Sequence, residues 1–197
     1  MDAETEVGST LMTISAAGPN QSYGRVLLVG SEWFNDRPGG LNRYVRELTR
    51  SLSDAYLDVR TVILGPASTS PGSFWPVGDL SDPLPKRLTQ MARAVAFHAK
   101  RVDLLDVHFA LYAALPLLIS RRVRKLPLVV HFQGPWAAES KVTGHSWLAC
   151  LIKRRVERFV YRRAAAAVVL SEAFGEILAR DYGVDPARIN VIPPGVD

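Results

Sequence analysis

The sequence RVLLVG at residues 25–30, followed by PGGLN at residues 38–42, decides the expected fold. The first segment is a short apolar run typical of a buried strand. The second opens a stretch with apolar residues at helical spacing: Leu41, Val45, Leu48 and Leu52. Between them, Gly39 and Gly40 allow a sharp turn and leave backbone N–H groups accessible to a ligand. Because the following helix points its positive dipole end at the same place, the segment is suited to bind a phosphate.

A simpler interpretation of the glycine pair is a turn that only begins the first helix of an α/β domain. Apolar runs and helical patterns alternate along the rest of the chain. We predict strands at about 25–30, 59–64, 103–108, 127–132, 166–170 and 189–192, and helices at about 41–55, 86–101, 110–122, 144–163 and 171–182. Runs such as Val62–Leu64 are apolar throughout, as expected for strands covered on both faces. The sequence therefore predicts an α/β fold with a doubly wound, Rossmann-like parallel sheet.

The chain divides into one expected domain with flanking segments. Residues 1–22 are rich in Ser, Thr, Gly and acidic residues, which indicates a flexible leader. Residues 23–192 carry the alternating pattern, and 193–197 begin an interdomain linker. Within the domain, residues 65–85 hold five prolines and predict an irregular surface excursion, either a functional loop or a plain insertion.

Composition narrows the classes of function. The 197 residues are 48% hydrophobic, enough for a real core, and the net charge of +5 fits an anionic ligand or surface. There is no nucleic-acid-binding fingerprint, so we expect no nucleic acid partner. The single cysteine, Cys150, lies in a helical pattern and is interpreted as a packing residue, which leaves no internal disulfide. No apolar run is long enough to span a membrane and no signal peptide is visible, so we predict a cytoplasmic protein.

Two common nucleotide-binding motifs are missing. A dinucleotide site needs G-x-G-x-x-G directly after the first strand and an acidic residue at the end of the second. Here Gly30 is far from Gly39, and the second predicted strand ends in Gly65. No glycine is followed by Lys-Ser or Lys-Thr, which excludes a Walker loop. In a doubly wound sheet the ligand still binds beyond the carboxyl ends of the strands, so the polar residues there are the candidates: those at 31–42, His108, those at 131–136, and Ser171.

Five of these segments together resemble the amino-terminal domain of the GT-B glycosyltransferases, specifically the retaining family 4. They are GGLNRYV at 39–45, DLLDVH at 103–108, VVHFQGP at 129–135, AVVLSE at 167–172 and INVIPPGVD at 189–197. Each is a weak signal alone, but the five occur in the family's order. The resemblance covers residues 25–197 and implies one half of a GT-B architecture.

The resemblance also implies roles for individual residues. Gly39 and Gly40 would lie against the donor phosphates, and His131 would be the catalytic residue near the reacting sugar or acceptor hydroxyl. Four residues would contact the acceptor: Asn42, Tyr44, His108 and Gly134. Asn42 is equally suited to hydrogen bonding at the start of its helix. Ser171 is interpreted as a helix cap.

The implied reaction is transfer of a sugar from a nucleotide-sugar donor to an acceptor hydroxyl, with retained configuration. The nucleotide sugar is a substrate, and no cofactor or metal is expected. The family's donor domain, with glutamates eight positions apart, would begin where this chain ends at Asp197, and no glutamate here has such a partner. We therefore expect the acceptor-side half of the enzyme, inactive when isolated. Two alternatives stay open: a non-enzymatic module that docks on a separate partner chain, and the first half of a GT-B epimerase.

One predicted helix carries an additional charge pattern. Arg154, Arg158 and Arg162 recur at four-residue spacing beside an apolar stripe. Such a row is usually a solvated face. A basic amphipathic helix can also rest on an anionic lipid surface, so peripheral membrane contact through these arginines is a second expectation.

Overall fold

A computed structural model of the chain describes residues 24–32, 39–65, 73–142, 144 and 146–193. The strands are β1 (Arg25–Glu32), β2 (Asp58–Leu64), β3 (Phe74–Pro76), β4 (Leu104–Val107), β5 (Leu128–Phe132), β6 (Ala166–Val169) and β7 (Ile189–Val191). The helices are α1 (Gly40–Asp54), α2 (Leu84–His98), α3 (Ala110–Ile119), α4 (Arg121–Lys125), α5 (Trp136–Val142), α6 (Trp147–Tyr161) and α7 (Glu172–Tyr182). The predicted leader, residues 66–72 of the excursion and residues 194–197 lie outside the described residues.

The strands form one sheet in the order β3-β2-β1-β4-β5-β6-β7, and every neighbouring pair is parallel. Consecutive strands add outward from β1 to one side and then from β4 to the other. Helical crossovers link them, as a parallel sheet requires. The predicted doubly wound, Rossmann-like α/β fold is confirmed.

Several predicted boundaries were wrong. The excursion at 65–85 contains the edge strand β3, which is only three residues long and ends in a proline, so it gives almost no periodic signal. The single helix expected at 110–122 is two, because Ser120 leaves the helical conformation and caps α4 through its side chain. The helix expected at 144–163 begins at Trp147, capped by Ser146, and α5 precedes it.

The core lies on both faces of the sheet because side chains alternate along each strand. Leu27 and Val29 belong to the large cluster that packs β1 and its neighbours against α2, α3 and α6. Leu28 points the other way and packs with Val45 of α1 and with Val59. The face on which α1 lies is therefore the face of Leu28.

The register places polar residues on that same face. Leu28 pairs with Asp106 across β1 and β4, and Asp106 pairs with Val129 across β4 and β5. Because residues two apart share a face, His108 joins Asp106, and His131 joins Val129. The backbone thus assembles one acid and two histidines beneath α1.

Candidate functional site

The strand order reverses between β1 and β4, and this is where doubly wound folds bind ligands, beyond the carboxyl ends of the strands. The helix that follows β1 is α1, which supplies Tyr44. His108 follows the last residue of β4, and His131 lies near the end of β5. The topology therefore brings these side chains together at the carboxyl edge, where we define the site cluster as Tyr44, Asp106, His108 and His131.

His131 lies at the centre of the site cluster and uses both ring nitrogens. Its Nδ1 lies 3.2 Å from the hydroxyl oxygen of Tyr44. Its Nε2 is 3.0 Å from Oδ1 of Asp106 and is hydrogen-bonded to Oδ2 of that residue at 3.3 Å. Burial raises the pKa of Tyr44, and the charge of Asp106 raises it further, so the hydroxyl keeps its proton. Three side chains thus form a continuous hydrogen-bonded chain.

His108 stacks on His131 with ring centroids 4.1 Å apart and ring planes tilted by only 16°. Burial lowers the pKa of His108 to about 3, against a smaller opposing effect of Asp106, so the ring is neutral at physiological pH. Both of its ring nitrogens are buried without a hydrogen-bond partner among the described residues. The Nε2 atom lies 3.5 Å from Oδ1 of Asp106.

A small cavity of about 200 Å³ adjoins the site cluster. Its lining includes His108, His131, Gly134 and Trp136. Gly134 has φ of +145°, a region that favours glycine, and a Cβ there would lie 2.7 Å from Oε1 of Glu139. A small-molecule site usually encloses about 300–1,000 Å³, so this cavity suits only part of a ligand.

The remaining predicted site residues are placed differently. Gly39 is extended, with φ of 178°, and Gly40 is the first residue of α1. Both are exposed, and a Cβ on either would meet nothing within 4 Å. Asn42 is buried, and its Oδ1 accepts a hydrogen bond of 2.9 Å from Ser31. Asn42 therefore ties α1 to the end of β1.

Asp106, His108 and His131 could in principle hold a metal, since ligand atoms from all three lie within 4.8 Å of one another. An imidazole binds a metal through a lone pair in its ring plane, at about 2.0–2.1 Å for zinc. At 4.1 Å between centroids the two rings must lie face to face, and their nearly parallel planes do not converge on one ion. The rings as arranged do not fit a shared metal. The absence of a metal or cofactor stays a prediction.

The sequence reasoning missed Asp106, although a signal was available. A charged residue inside the apolar run Leu104–Val107, two positions before a histidine, places both side chains on one face of a strand. Buried acids are rare unless they are paired, so a partner was to be expected. The partner, His131, is 25 residues away and only the sheet register reveals it.

Comparison with known proteins shows the family of the chain. The sequence model of Glycosyltransferase Family 4 matches residues 38–197. The chain belongs to glycosyltransferase family 4. Among curated protein sequences, none matches it.

Solved glycosyltransferases of the GT-B class share the fold of this family 4 chain. Sucrose-phosphate synthase from Thermosynechococcus elongatus is similar with a TM-score of 0.64 and 21% identity, over 88% of this chain and 48% of that one. Alr3699/HepE from Anabaena, solved in complex with UDP and glucose, has a TM-score of 0.62 and 16% identity, over 89% and 45%. A glycosyltransferase from Rickettsia africae ESF-5 has a TM-score of 0.57. The chain spans about half the length of the first two, so it corresponds to one part of a GT-B glycosyltransferase.

A second buried acid supports the wall of the cavity in this glycosyltransferase domain. Glu157 of α6 is fully buried. It accepts hydrogen bonds from the backbone N–H groups of Trp136 and Ala137, at 2.9 and 3.2 Å, and from the hydroxyl of Tyr182 at 3.0 Å. Burial raises the pKa of Glu157, and these three bonds oppose that rise. Glu157 thereby fixes the start of α5, directly after the cavity-lining Gly134.

A larger groove, of about 730 Å³, lies among α5, α6 and α7. Its lining includes Trp147, Leu151 and Tyr182, and none of the predicted site residues is among the described residues that line it. The smaller cavity is the better candidate site, because it contains the histidines at the strand-order reversal.

The arginine row is exposed as predicted, at Arg154 and Arg158 of α6 and at Arg162, the residue that follows its last turn. The apolar stripe beside it is buried only toward the end of the helix, where Val160 is inaccessible, whereas Leu148 and Ile152 near its start are 52% and 56% exposed. No helix in the described part of the chain has the length and apolar character needed to cross a membrane.

Proposed function

We propose that this domain is the acceptor-side half of a retaining glycosyltransferase, which moves a sugar from a nucleotide-sugar donor to an acceptor hydroxyl. The observation that carries the proposal is the site cluster, since a preorganised hydrogen-bonding group of this kind is suited to orient a sugar hydroxyl. HepE, with which the chain shares its fold, was solved with UDP-glucose. The proposed roles are those of the sequence analysis: His131 at the reacting centre, and Asn42, Tyr44, His108 and Gly134 near the acceptor.

The proposal includes a second domain. The site cavity encloses only about 200 Å³. Beside it, the start of α1 at Gly39 and Gly40 has open space around it. Residues 23–192 would form one lip of an interdomain cleft, and a domain following residue 197 would carry most of the donor site. In the assembled enzyme the glycine pair would lie close to the donor phosphates. The isolated chain is then expected to bind nucleotide weakly and to turn over almost nothing.

A transfer assay tests this function in the protein that includes the second domain. UDP-, GDP- and ADP-linked hexoses serve in turn as donors, and nucleotide release is measured with glucose as the acceptor probe. We expect release from at least one donor, with kcat lowered about 100-fold or more by His131→Gln. His98→Gln is the matched control, because that buried ring packs against Trp75 and Phe97 instead of the site cluster. No release from any donor, or equal activity in both variants, would contradict the proposal.

We also propose peripheral contact of α6 with an anionic lipid surface. The apolar side chains of Trp147, Leu148 and Ile152 are exposed at the start of the helix, and the arginine row continues from Arg154. Apolar side chains that enter the interface beside basic ones favour such binding. We expect the chain to sediment with vesicles of anionic phospholipid at low salt, and less so after Trp147→Ala. Failure to sediment with these vesicles would remove this proposal.

A further inference from the structure

We propose that Asp106 is the positioning residue of the site: it holds His131 as the Nε2–H tautomer, so that Tyr44 donates to Nδ1 and offers its oxygen lone pairs to a ligand hydroxyl. That the ligand carries a hydroxyl group rests on the proposed function, whereas the tautomer of His131 does not.

The contact between Asp106 and His131 determines which ring nitrogen of His131 carries the proton. An ionised carboxylate only accepts hydrogen bonds, so the ring nitrogen that faces it has to carry the proton. That nitrogen is Nε2, 3.0 Å from Oδ1 and 3.3 Å from Oδ2. Asp106 is buried, with only 5% of its surface exposed, and in such surroundings a hydrogen bond to a charged group is strong.

The position of this proton in turn determines the role of Tyr44. When Nε2 carries the proton of the neutral ring, Nδ1 has a free lone pair and accepts. The hydroxyl 3.2 Å away is then the donor, and its single proton is committed to His131. The lone pairs of the Tyr44 oxygen remain for a second bond, which a hydroxyl group of a ligand can donate.

The members of the site cluster differ in whether they can form a hydrogen bond with a ligand. Asp106, His108 and His131 are all buried, whereas Tyr44 is partly exposed. Both ring nitrogens of His131 are already engaged within the site cluster. Tyr44 is therefore the outer end of the chain of hydrogen bonds, so a ligand hydroxyl that joins this chain bonds to the Tyr44 oxygen, while the His131 ring faces the cavity.

His108 is consistent with this direction of the hydrogen bonds. Its ring lies face to face with His131, and burial keeps it neutral. It presents no positive charge that would draw the carboxylate of Asp106 away from His131. Its Nε2, 3.5 Å from Oδ1, makes no hydrogen bond to that oxygen.

The tautomer can be observed directly by long-range ¹H–¹⁵N correlation on the histidine-labelled chain at pH 8. We expect the Nε2–H form of His131 to exceed the Nδ1–H form by about tenfold or more, the ratio that a hydrogen bond to a charged group supports. Asp106→Asn should lower this ratio severalfold. Asp103→Asn, at the exposed start of the same segment, should leave it unchanged.

The Tyr44→Phe variant shows which of the two partners of His131 sets its tautomer. Because Asp106 sets the tautomer, the variant should keep the Nε2–H form although it has lost the hydroxyl. A wild-type chain with mainly Nδ1–H or doubly protonated His131 would overturn the proposal, and so would a larger effect of Tyr44→Phe than of Asp106→Asn. The wild-type spectrum decides the first point even where a variant fails to fold. Since no substrate is needed, a missing transfer activity would refute the proposed function and leave this result intact.

Discussion

Asp106 and Glu157 are both acids with almost no exposed surface, 5% and 0%, but their partners differ. Glu157 accepts three hydrogen bonds, two from backbone N–H groups and one from Tyr182. Oδ1 of Asp106 lies 3.0 Å from Nε2 of His131 and 3.5 Å from Nε2 of His108, and it has no hydrogen bond with good geometry among the described residues. One acid is satisfied within the fold. The other belongs to a group that retains hydrogen-bonding capacity for something else.

The difference separates stability from function. Buried polar groups in folded proteins are nearly always hydrogen-bonded, and exceptions mark places with another role. The surroundings of Glu157 conform to that rule, and Glu157 secures the start of α5 at the cavity wall, of which it is part. The surroundings of Asp106 and His108 depart from it at the strand-order reversal, where a ligand is expected. The predictions below test whether the two acids really divide in this way.

The largest expected effect is on stability, from Glu157→Ala. The substitution leaves two backbone donors and the Tyr182 hydroxyl without a partner, and each costs about 1–3 kcal/mol. We expect the free energy of unfolding in urea to fall by roughly 4 kcal/mol. Glu176→Ala, on the exposed side of α7, should change it by less than about 0.5 kcal/mol. A loss below about 1 kcal/mol for Glu157→Ala would mean that the satisfied acid does not stabilise the fold.

A smaller effect is expected from pH, through His108. The unfolded chain binds a proton at His108 below about pH 6.5, whereas the folded ring, with its pKa lowered to about 3 by burial, does not. The contribution of His108 to the free energy of unfolding is therefore fully present above about pH 6.5 and is lost as the pH falls toward 3. Between pH 7.5 and pH 5 the loss from this group is about 2 kcal/mol.

The matched measurement compares urea unfolding of the wild type and of His108→Gln across that range. Because the other titrating groups, including His98, are common to both proteins, the difference between the two curves isolates His108. We expect the variant to depend less steeply on pH. Parallel curves would show that His108 is not buried as a neutral ring.

Some strands and caps of the fold could be predicted from the sequence, and others could not. The apolar runs at Val62–Leu64 and Val168–Leu170 predicted strands correctly because burial on both faces leaves a continuous apolar pattern. The strand β3 has only three residues among prolines, and no periodic signal can be read from it. Ser171 was correctly predicted as a helix cap, since its side chain accepts from the N–H of Phe174. Local chemistry was readable, whereas short edge elements were not.

Some residues of the candidate site could also be predicted from the sequence, namely those within short motifs. Tyr44, His108 and His131 were predicted on motif resemblance, and the structure brings them into contact. Asp106 and Glu157 were missed because their partners are 25 and about 20 residues away in sequence. Glu157 also stands in an arginine-rich helix, where an acid reads as a surface charge. Long-range pairing of a buried acid is set by sheet register and helix packing, which the sequence does not display.

The most direct test of the central claim is kcat/KM for sugar transfer by the protein that includes the second domain, carrying Asp106→Asn, with activity expressed per folded molecule. The account predicts a loss of about tenfold or more for Asp106→Asn, since His131 and Tyr44 lose their orientation, with Asp103→Asn close to wild type. Glu157→Gln, measured in the same way, should lose less activity than Asp106→Asn. Wild-type transfer by folded Asp106→Asn would contradict the account.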